Sequence, residues 1–262
     1  VTTLALRTID ALRREYDDLA ALVSSFGPDQ LARPSGASEW SVADALSHLG
    51  SGSEINLATL LTALGEREAP GDTFNGSVWD RWNAMTPTEQ AAGFLEHNRA
   101  LVEAFEALTL EQHSTLGVPV SFLPAPLAVA GFAGLRLNEA AQHGWDVRVS
   151  TDSGVGLLDS SASVLAEHFA GDLGFLLGFV GQADQVQAPV TVALGDSGYS
   201  IVIDGSVSLE AAAEATTATF AGPLEAALRL IAGRLGPTRT PSGVAVTGNV
   251  TLDELRAVFP GF

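Results

Sequence analysis

Apolar residues fall at Leu4, Leu6, Ile9, Leu12, Tyr16, Leu19 and Leu22, a largely helical spacing that predicts a first helix over residues 3–24. Gly27-Pro28-Asp29 ends it. Ser41 precedes a second series, Val42, Ala45, Leu46, Leu49, Ile55, Leu57, Leu60 and Leu61, which predicts a helix reaching about Leu64. The step from Ser41 to Asp44 has the spacing of an amino-terminal cap with an acid in the first turn, where the helix dipole favours it. Glycine and proline punctuate 65–78, which reads as loop. A third helix is expected from Pro87 to Leu108, since proline is acceptable at a helix start. The stretch 109–125, with Pro119 and Pro124, reads as irregular, and a fourth helix is expected over 126–149.

Around Ser150 the pattern changes. Residues 150–156, STDSGVG, read as a linker, and an apolar helix is expected from Leu158 to Val180. Short β-like runs follow at Val190–Leu194, Tyr199–Asp204, Val207–Leu209 and Thr217–Ala221, then a helix over 222–234, a strand at 244–247 and a last helix over 251–258. The expected fold class is α+β: a four-helix bundle over 1–152, then a small mixed α/β domain over 153–262.

Charge narrows the partners. The chain has 262 residues, 31 acidic against 13 basic, for a net charge of −18, and all its basic residues are arginine. Such a surface repels nucleic-acid phosphates and anionic lipid, so neither is expected as a partner. The first twenty-four residues mix Arg7, Asp10, Arg13, Arg14, Glu15, Asp17 and Asp18 with apolar positions, which suits an amphipathic helix and not a signal peptide; cytoplasm is the expected location. There is no cysteine, hence no disulfide, no thiolate ligand and no cysteine nucleophile. The lack of lysine removes Schiff-base chemistry through that side chain. A metal would have to be held by nitrogen and oxygen.

Five histidines are present: His48, His97, His113, His143 and His168. Glu139 and His143 are four apart in a predicted helix, so they share one face about 6 Å apart along the axis. They can supply two corners of a metal site, with the third from another helix, for which His48 is the best placed. Two histidines and a carboxylate leave an open position, the catalytic pattern for zinc, though nickel, cobalt, manganese or iron accept the same donors. By spacing alone this is weak evidence, and a surface ion pair or a satisfied core histidine is the commoner outcome.

Two segments carry a resemblance. Ser38-Glu39-Trp40-Ser41-Val42-Ala43-Asp44-Ala45-Leu46-Ser47-His48-Leu49 resembles the W-[ST]-V-x-D-x-x-x-H-L element of the mycothiol-dependent maleylpyruvate isomerase family, a branch of the DinB-like superfamily. Arg136-Leu137-Asn138-Glu139-Ala140-Ala141-Gln142-His143-Gly144-Trp145-Asp146-Val147-Arg148 is similar to its R-x-x-E-x-x-x-H-x-x-D-[VL]-R element. Thr219–Ala226 followed by Ala232-Gly233-Arg234 resembles the family's second domain. The resemblance implies a DinB-like bundle holding a divalent metal, zinc by expectation, through His48, Glu139 and His143, with a second domain closing over the site. It implies mycothiol as thiol cosubstrate, activated as a metal-bound thiolate for addition to a small electrophile, by cis-trans isomerisation of the maleylpyruvate type or by S-transfer. It also implies Arg234 as a catalytic arginine, able to grip a substrate carboxylate. Where many members have a cysteine- and proline-containing stretch before the tryptophan, this chain reads Ser35-Gly36-Ala37-Ser38-Glu39.

The missing cysteine agrees with a thiol borrowed from outside. Ionising a thiol at neutral pH is worth only roughly 2 kcal/mol, whereas orienting thiolate and electrophile can supply roughly 7–11 kcal/mol. Asp146, three after His143, either orients that histidine or faces Arg148 at the helix end. Trp40 is expected to anchor the core, Trp79 and Trp82 to pack, His97 to be exposed, His113 to lie in the irregular segment and His168 to be half-buried. Two other functions fit the same residues: a metal-dependent hydrolase working through water, with Asp146 as its sole obvious base, and a non-enzymatic ligand-binding module.

Overall fold

The computed structural model describes residues 2–211, 213 and 215–261. Two compact units are present, Val1–Asp152 and Ser153–Phe262. The first runs α1 (Leu4–Val23), α2 (Pro28–Leu31), α3 (Val42–Ala63), α4 (Phe74–Asn83), α5 (Pro87–Glu106), α6 (Leu110–Thr115), β1 (Gly117–Val118), β2 (Leu127–Ala128) and α7 (Val129–Arg148). Helices α1, α3, α5 and α7 are the long ones and pack on one another: α3 against α5 and α7, α1 against α7 and α5.

Their starts follow from local chemistry. Ser41 Oγ accepts from Asp44 N at 3.2 Å while Asp44 Oδ2 accepts from Ser41 N at 2.9 Å, so two otherwise orphaned donors of α3 are satisfied reciprocally. Thr86 and Glu89 do the same for α5, with Pro87 in its first turn. Leu46, Leu49, Phe94, Leu101, Phe105, Leu137 and Trp145 are fully buried between the long helices. Two arginines cross this interior. Arg148 of α7 donates to Glu15 and Asp18 of α1, each at 2.6 Å. Arg136 of α7 donates to the Leu49 carbonyl of α3 at 2.7 Å and to Asn98 Oδ1 of α5 at 2.8 Å. Most of these buried donors are thus paired, as a low-dielectric interior requires, while Arg148 Nη1 is buried without a hydrogen-bond partner among the described residues.

Two short helices replace expected loop. In α4, where the punctuation of 65–78 predicts loop, only Val78 and Trp82 are buried, too few positions to leave a periodic signal. Its anchor is Trp82, whose indole N–H donates to Glu54 Oε2 at 2.9 Å and whose ring tip rests on Gly50 of α3 and Gly93 of α5. Helix α6 lies in the segment read as irregular; it is capped by Thr109 and Gln112 and buries no residue, so hydrophobic spacing could not find it.

The second unit runs α8 (Asp159–Phe169), a 3₁₀ turn (Gly174–Leu176), α9 (Leu177–Val180), β3 (Val190–Leu194), β4 (Tyr199–Ile203), β5 (Val207–Ala211), β6 (Ala218–Ala221), α10 (Leu224–Ile231), β7 (Ala245–Gly248) and α11 (Leu252–Val258). The single helix expected over 158–180 is broken. Gly171 and Leu173 N–H both turn back to the His168 carbonyl, Asp172 Oδ1 lies 2.8 Å from His168 Nδ1, and the pieces on either side meet at 85°. No single helix is long and apolar enough to cross a membrane. The sheet order is β5-β4-β3-β6-β7, with β3 and β6 parallel and the other neighbours antiparallel. Alternation puts Val190, Val192, Leu194, Ile201, Ile203, Leu209, Ala218 and Phe220 in the core. The fold class is therefore mixed as expected, helical first and a small sheet domain second.

Candidate metal centre

His48 stands in the second turn of α3; Glu139 and His143 stand one turn apart on α7. One ligand atom from each lies within 4.8 Å of the other two. The two helices thus bring together the three residues that spacing and resemblance single out. His48 Nε2 is 2.8 Å from Glu139 Oε2, and His143 Nε2 is 3.8 Å from the same oxygen. Two ligands about 2.0–2.1 Å from a tetrahedral ion sit roughly 3.3 Å apart, and the observed separations straddle that value. The His48 and Glu139 side chains are 41% and 42% exposed, so an ion has access.

His143 is held from behind. Its Nδ1 is 2.9 Å from Asp146 Oδ2, and the Asp146 side chain is fully buried. A carboxylate on Nδ1 fixes the tautomer that leaves the Nε2 lone pair free to coordinate. Of the two readings of Asp146, the geometry has this one; Arg148 turns instead to Glu15 and Asp18.

Electrostatics prepare Glu139 as an anion. Burial pushes its carboxyl upward, but the His48 hydrogen bond and the charges of His143, His48 and Arg136 outweigh it and hold the group at about 2. Arg136, one turn before Glu139, is lowered to about 10 by burial, against the opposing pull of Glu139. Its proximity to Glu139 is visible in the i,i+3 spacing, whereas its bonds to Leu49 and Asn98 on other helices are not.

Trp40 is more than a core anchor. It packs beside the core of α3, and its ring also stacks on His143 (centroids 5.4 Å apart, planes at 24°) and leans on His48 (5.3 Å, 47°). The remaining candidates belong to other elements. Arg234 belongs to the second unit, in the turn after α10, where its Nη1 donates to the Ala232 carbonyl at 3.1 Å. His97 is partly buried, edge-on to Trp82 at 5.5 Å and 3.8 Å from Glu54, not exposed as expected. His113 is in α6, and His168 is fully buried against Asp172 instead of half-buried. Trp82 packs as expected, whereas Trp79 is 50% exposed. Glu54, which no motif marks, gathers Arg81, Trp82 and His97 on one carboxylate.

The donor set suits a borderline divalent ion: two imidazole nitrogens and one carboxylate on two rigid helices, with a carboxylate behind one imidazole. The family described as "Mycothiol maleylpyruvate isomerase N-terminal domain" matches residues 12–148. The chain belongs to this family. The matched span contains all three clustered donors, Asp146 and Trp40, while Arg234 lies beyond it. None of the curated proteins matches the sequence. Among solved structures, the chain is similar to the crystal structure of the mycothiol-dependent maleylpyruvate isomerase, with a TM-score of 0.65, 15% identity and all of both chains covered. It is similar also to that of a histidine-to-alanine mutant of the mycothiol-dependent maleylpyruvate isomerase, with a TM-score of 0.64 at the same identity and coverage. At that identity the likeness is one of fold.

Proposed function

We propose that this family member is an enzyme that binds one divalent metal, zinc foremost, and uses mycothiol as a thiol cosubstrate against a small electrophile. The reaction would be isomerisation of the maleylpyruvate type or S-transfer. The observation that carries the reading is the convergence of His48, Glu139 and His143 within 4.8 Å, with Asp146 behind His143. In this reading His48 Nε2, a Glu139 oxygen and His143 Nε2 hold the ion. When bound, the metal supplies Lewis acidity that favours the thiolate form of a coordinating thiol.

The protein's own groups do the rest. Asp146 keeps the proton of His143 on Nδ1, so Nε2 remains a donor to the ion. Arg136 ties α7 to α3, which preserves the spacing of the three donors, and adds a smaller share to the His48 hydrogen bond and the histidine charges that favour the Glu139 anion. Arg234 is assigned a substrate carboxylate, a role that rests on the family's second domain and on the planar guanidinium's fit to carboxylates. Partners are small molecules in the cytoplasm, not nucleic acid or membrane, since a net charge of −18 repels both phosphate-rich surfaces. A hydrolase reading is weaker because its sole obvious base, Asp146, has no exposed side-chain surface and is engaged by His143.

Metal analysis and turnover test the reading together. Purified protein is expected to carry about one equivalent of metal, and His143→Ala to lose it. Mass spectrometry after incubation with mycothiol and cis-alkene acids or other electrophiles should show isomer or adduct only when mycothiol is present. Absence of stoichiometric metal, with His143→Ala unchanged, would sink the metal reading; turnover in buffer without mycothiol would point to the hydrolase.

A further inference from the structure

We infer that Trp40 is a positioning residue for the metal centre: its indole is the plate that holds both imidazoles in their ligating planes. The inference rests on the proposed metal reading and adds a residue to it. Among the described residues, the ring of His48 has no hydrogen-bond partner other than Glu139. That contact, at 2.8 Å, cannot keep its proton once both groups turn to one ion, because a nitrogen that coordinates has no hydrogen left to donate. His143 keeps Asp146 when metal binds; His48 keeps no hydrogen bond among those shown. Two rings lie against His48 independently of that proton: Trp40 at 5.3 Å and His143 at 4.6 Å. Trp40 in turn lies nearly parallel to His143, at 24°. An imidazole coordinates through an in-plane lone pair, so the ring plane decides where the donor points. One indole against both rings limits both planes.

The backbone around Trp40 is built to hold it there. Residues 34 and 41 form an antiparallel bridge, and the Ser35 N–H donates to the Trp40 carbonyl at 2.8 Å. The Gly36 N–H donates to the Asp146 carbonyl at 2.7 Å, so the loop is tied to the residue that orients His143. Gly36 sits so close that a Cβ would come within 2.8 Å of Asp146 Oδ1 and Val149 Cγ1. Glu39, just before the tryptophan, has φ of 63°, a left-handed conformation uncommon outside glycine and sustained here by the closed loop.

The test uses the full chain, stripped of metal and titrated with Co²⁺ against a chromophoric chelator. Trp40→Met and Trp40→Leu fill apolar space without a flat face, and Trp40→Phe restores the face. Met or Leu is expected to weaken Co²⁺ binding about tenfold, the scale of losing an outer support of a ligand, and to alter the visible Co²⁺ band. Phe should stay within about threefold of wild type and retain its band. Urea midpoints of the metal-free proteins separate a packing defect from a ligand defect. Wild-type affinity and band in a folded Met or Leu variant would overturn the inference; so would loss of fold in both with Phe intact, which assigns Trp40 to packing. A wild-type protein that binds no Co²⁺ would instead overturn the metal reading beneath it.

Discussion

Replacing Gly50 by alanine should destabilise the first unit, against the ordinary preference of helices for alanine. A Cβ at Gly50 would lie 2.1 Å from Trp82 Cη2 and 2.5 Å from Cζ3. Trp82 cannot retreat, since a Cβ at Gly93 on the far side would be 2.7 Å from the same Cη2, and the indole N–H is tied to Glu54 at 2.9 Å. Either Trp82 leaves its slot or α3 and α5 separate. Losing the packing of a fully buried tryptophan costs about 3–5 kcal/mol, and glycine-to-alanine in a helix returns about 1 kcal/mol. The net expectation is a loss of about 2–4 kcal/mol. All four tryptophans lie in residues 1–152, so indole fluorescence during urea denaturation follows this unit selectively. In a Trp82→Ala background the same Gly50→Ala change should be neutral or stabilising, because the clash has gone. Equal stability of Gly50→Ala and wild type with Trp82 in place would refute the slot. Gly50 is two residues from His48, so a shifted α3 should weaken metal binding as well.

Two further outcomes follow from paired charges. Glu139 is held at about 2 against an ordinary 4.5, so in the metal-free protein its ion pairing contributes stability above pH 4.5 that is lost as pH falls toward 2. The gap corresponds to roughly 3.4 kcal/mol before screening, and the 42% exposure of the side chain brings the expectation down to about 1 kcal/mol. Urea midpoints at pH 5 and pH 2.5 check this: the stability difference between wild type and Glu139→Gln should shrink on acidification, and a constant difference would count against it. Arg148→Met should cost about 3–5 kcal/mol, because it takes a cationic partner from the buried Glu15 carboxylate. Asp18→Asn, at a half-exposed partner of the same arginine, should cost under about 1 kcal/mol by the same fluorescence assay; equal costs would contradict the burial argument.

How much could be read before the fold depended on how many residues share a signal. Helix α3 was legible because an apolar series, Val42, Ala45, Leu46, Leu49, Ile55, Leu57, Leu60 and Leu61, recurs along it and its cap is local. Helix α4 was not, because its place is set by one tryptophan entering a groove made by glycines on two other helices. The helix expected over 158–180 ran on past Gly171 because apolar spacing continues there, while the turn is made by His168 and Asp172 closing on each other. The centre divides the same way. Glu139 and His143 share a helix and are visible in spacing; His48 needed resemblance, since nothing local to α3 says which helix it faces. Trp40 reads as a core residue because a sequence cannot say which way an indole at a loop–helix junction lies.

The His48–Glu139 contact shows why spacing could locate donors without describing the site. In the metal-free arrangement these two groups satisfy each other at 2.8 Å, a hydrogen bond that keeps α3 and α7 in register before any ion arrives. If an ion binds as proposed, it would replace that bond with coordination by both groups, so its affinity would be a difference between the two arrangements and would depend on pH, since a proton must leave the shared position. Arg136 is arranged to favour the exchange. It is bound to Leu49, the neighbour of His48, and its charge, one turn away, adds to the larger effects of His48 and His143 that favour the Glu139 anion. Removing the Glu139 partner therefore acts on two helices at once. A variant such as Arg136→Met would loosen the α3–α7 spacing and raise the cost of an ionised Glu139 together, so its effect on metal affinity should exceed that of Asn98→Ala, which removes only one of the arginine's two acceptors; comparable losses in the two variants would mean that charge beneath Glu139 contributes little.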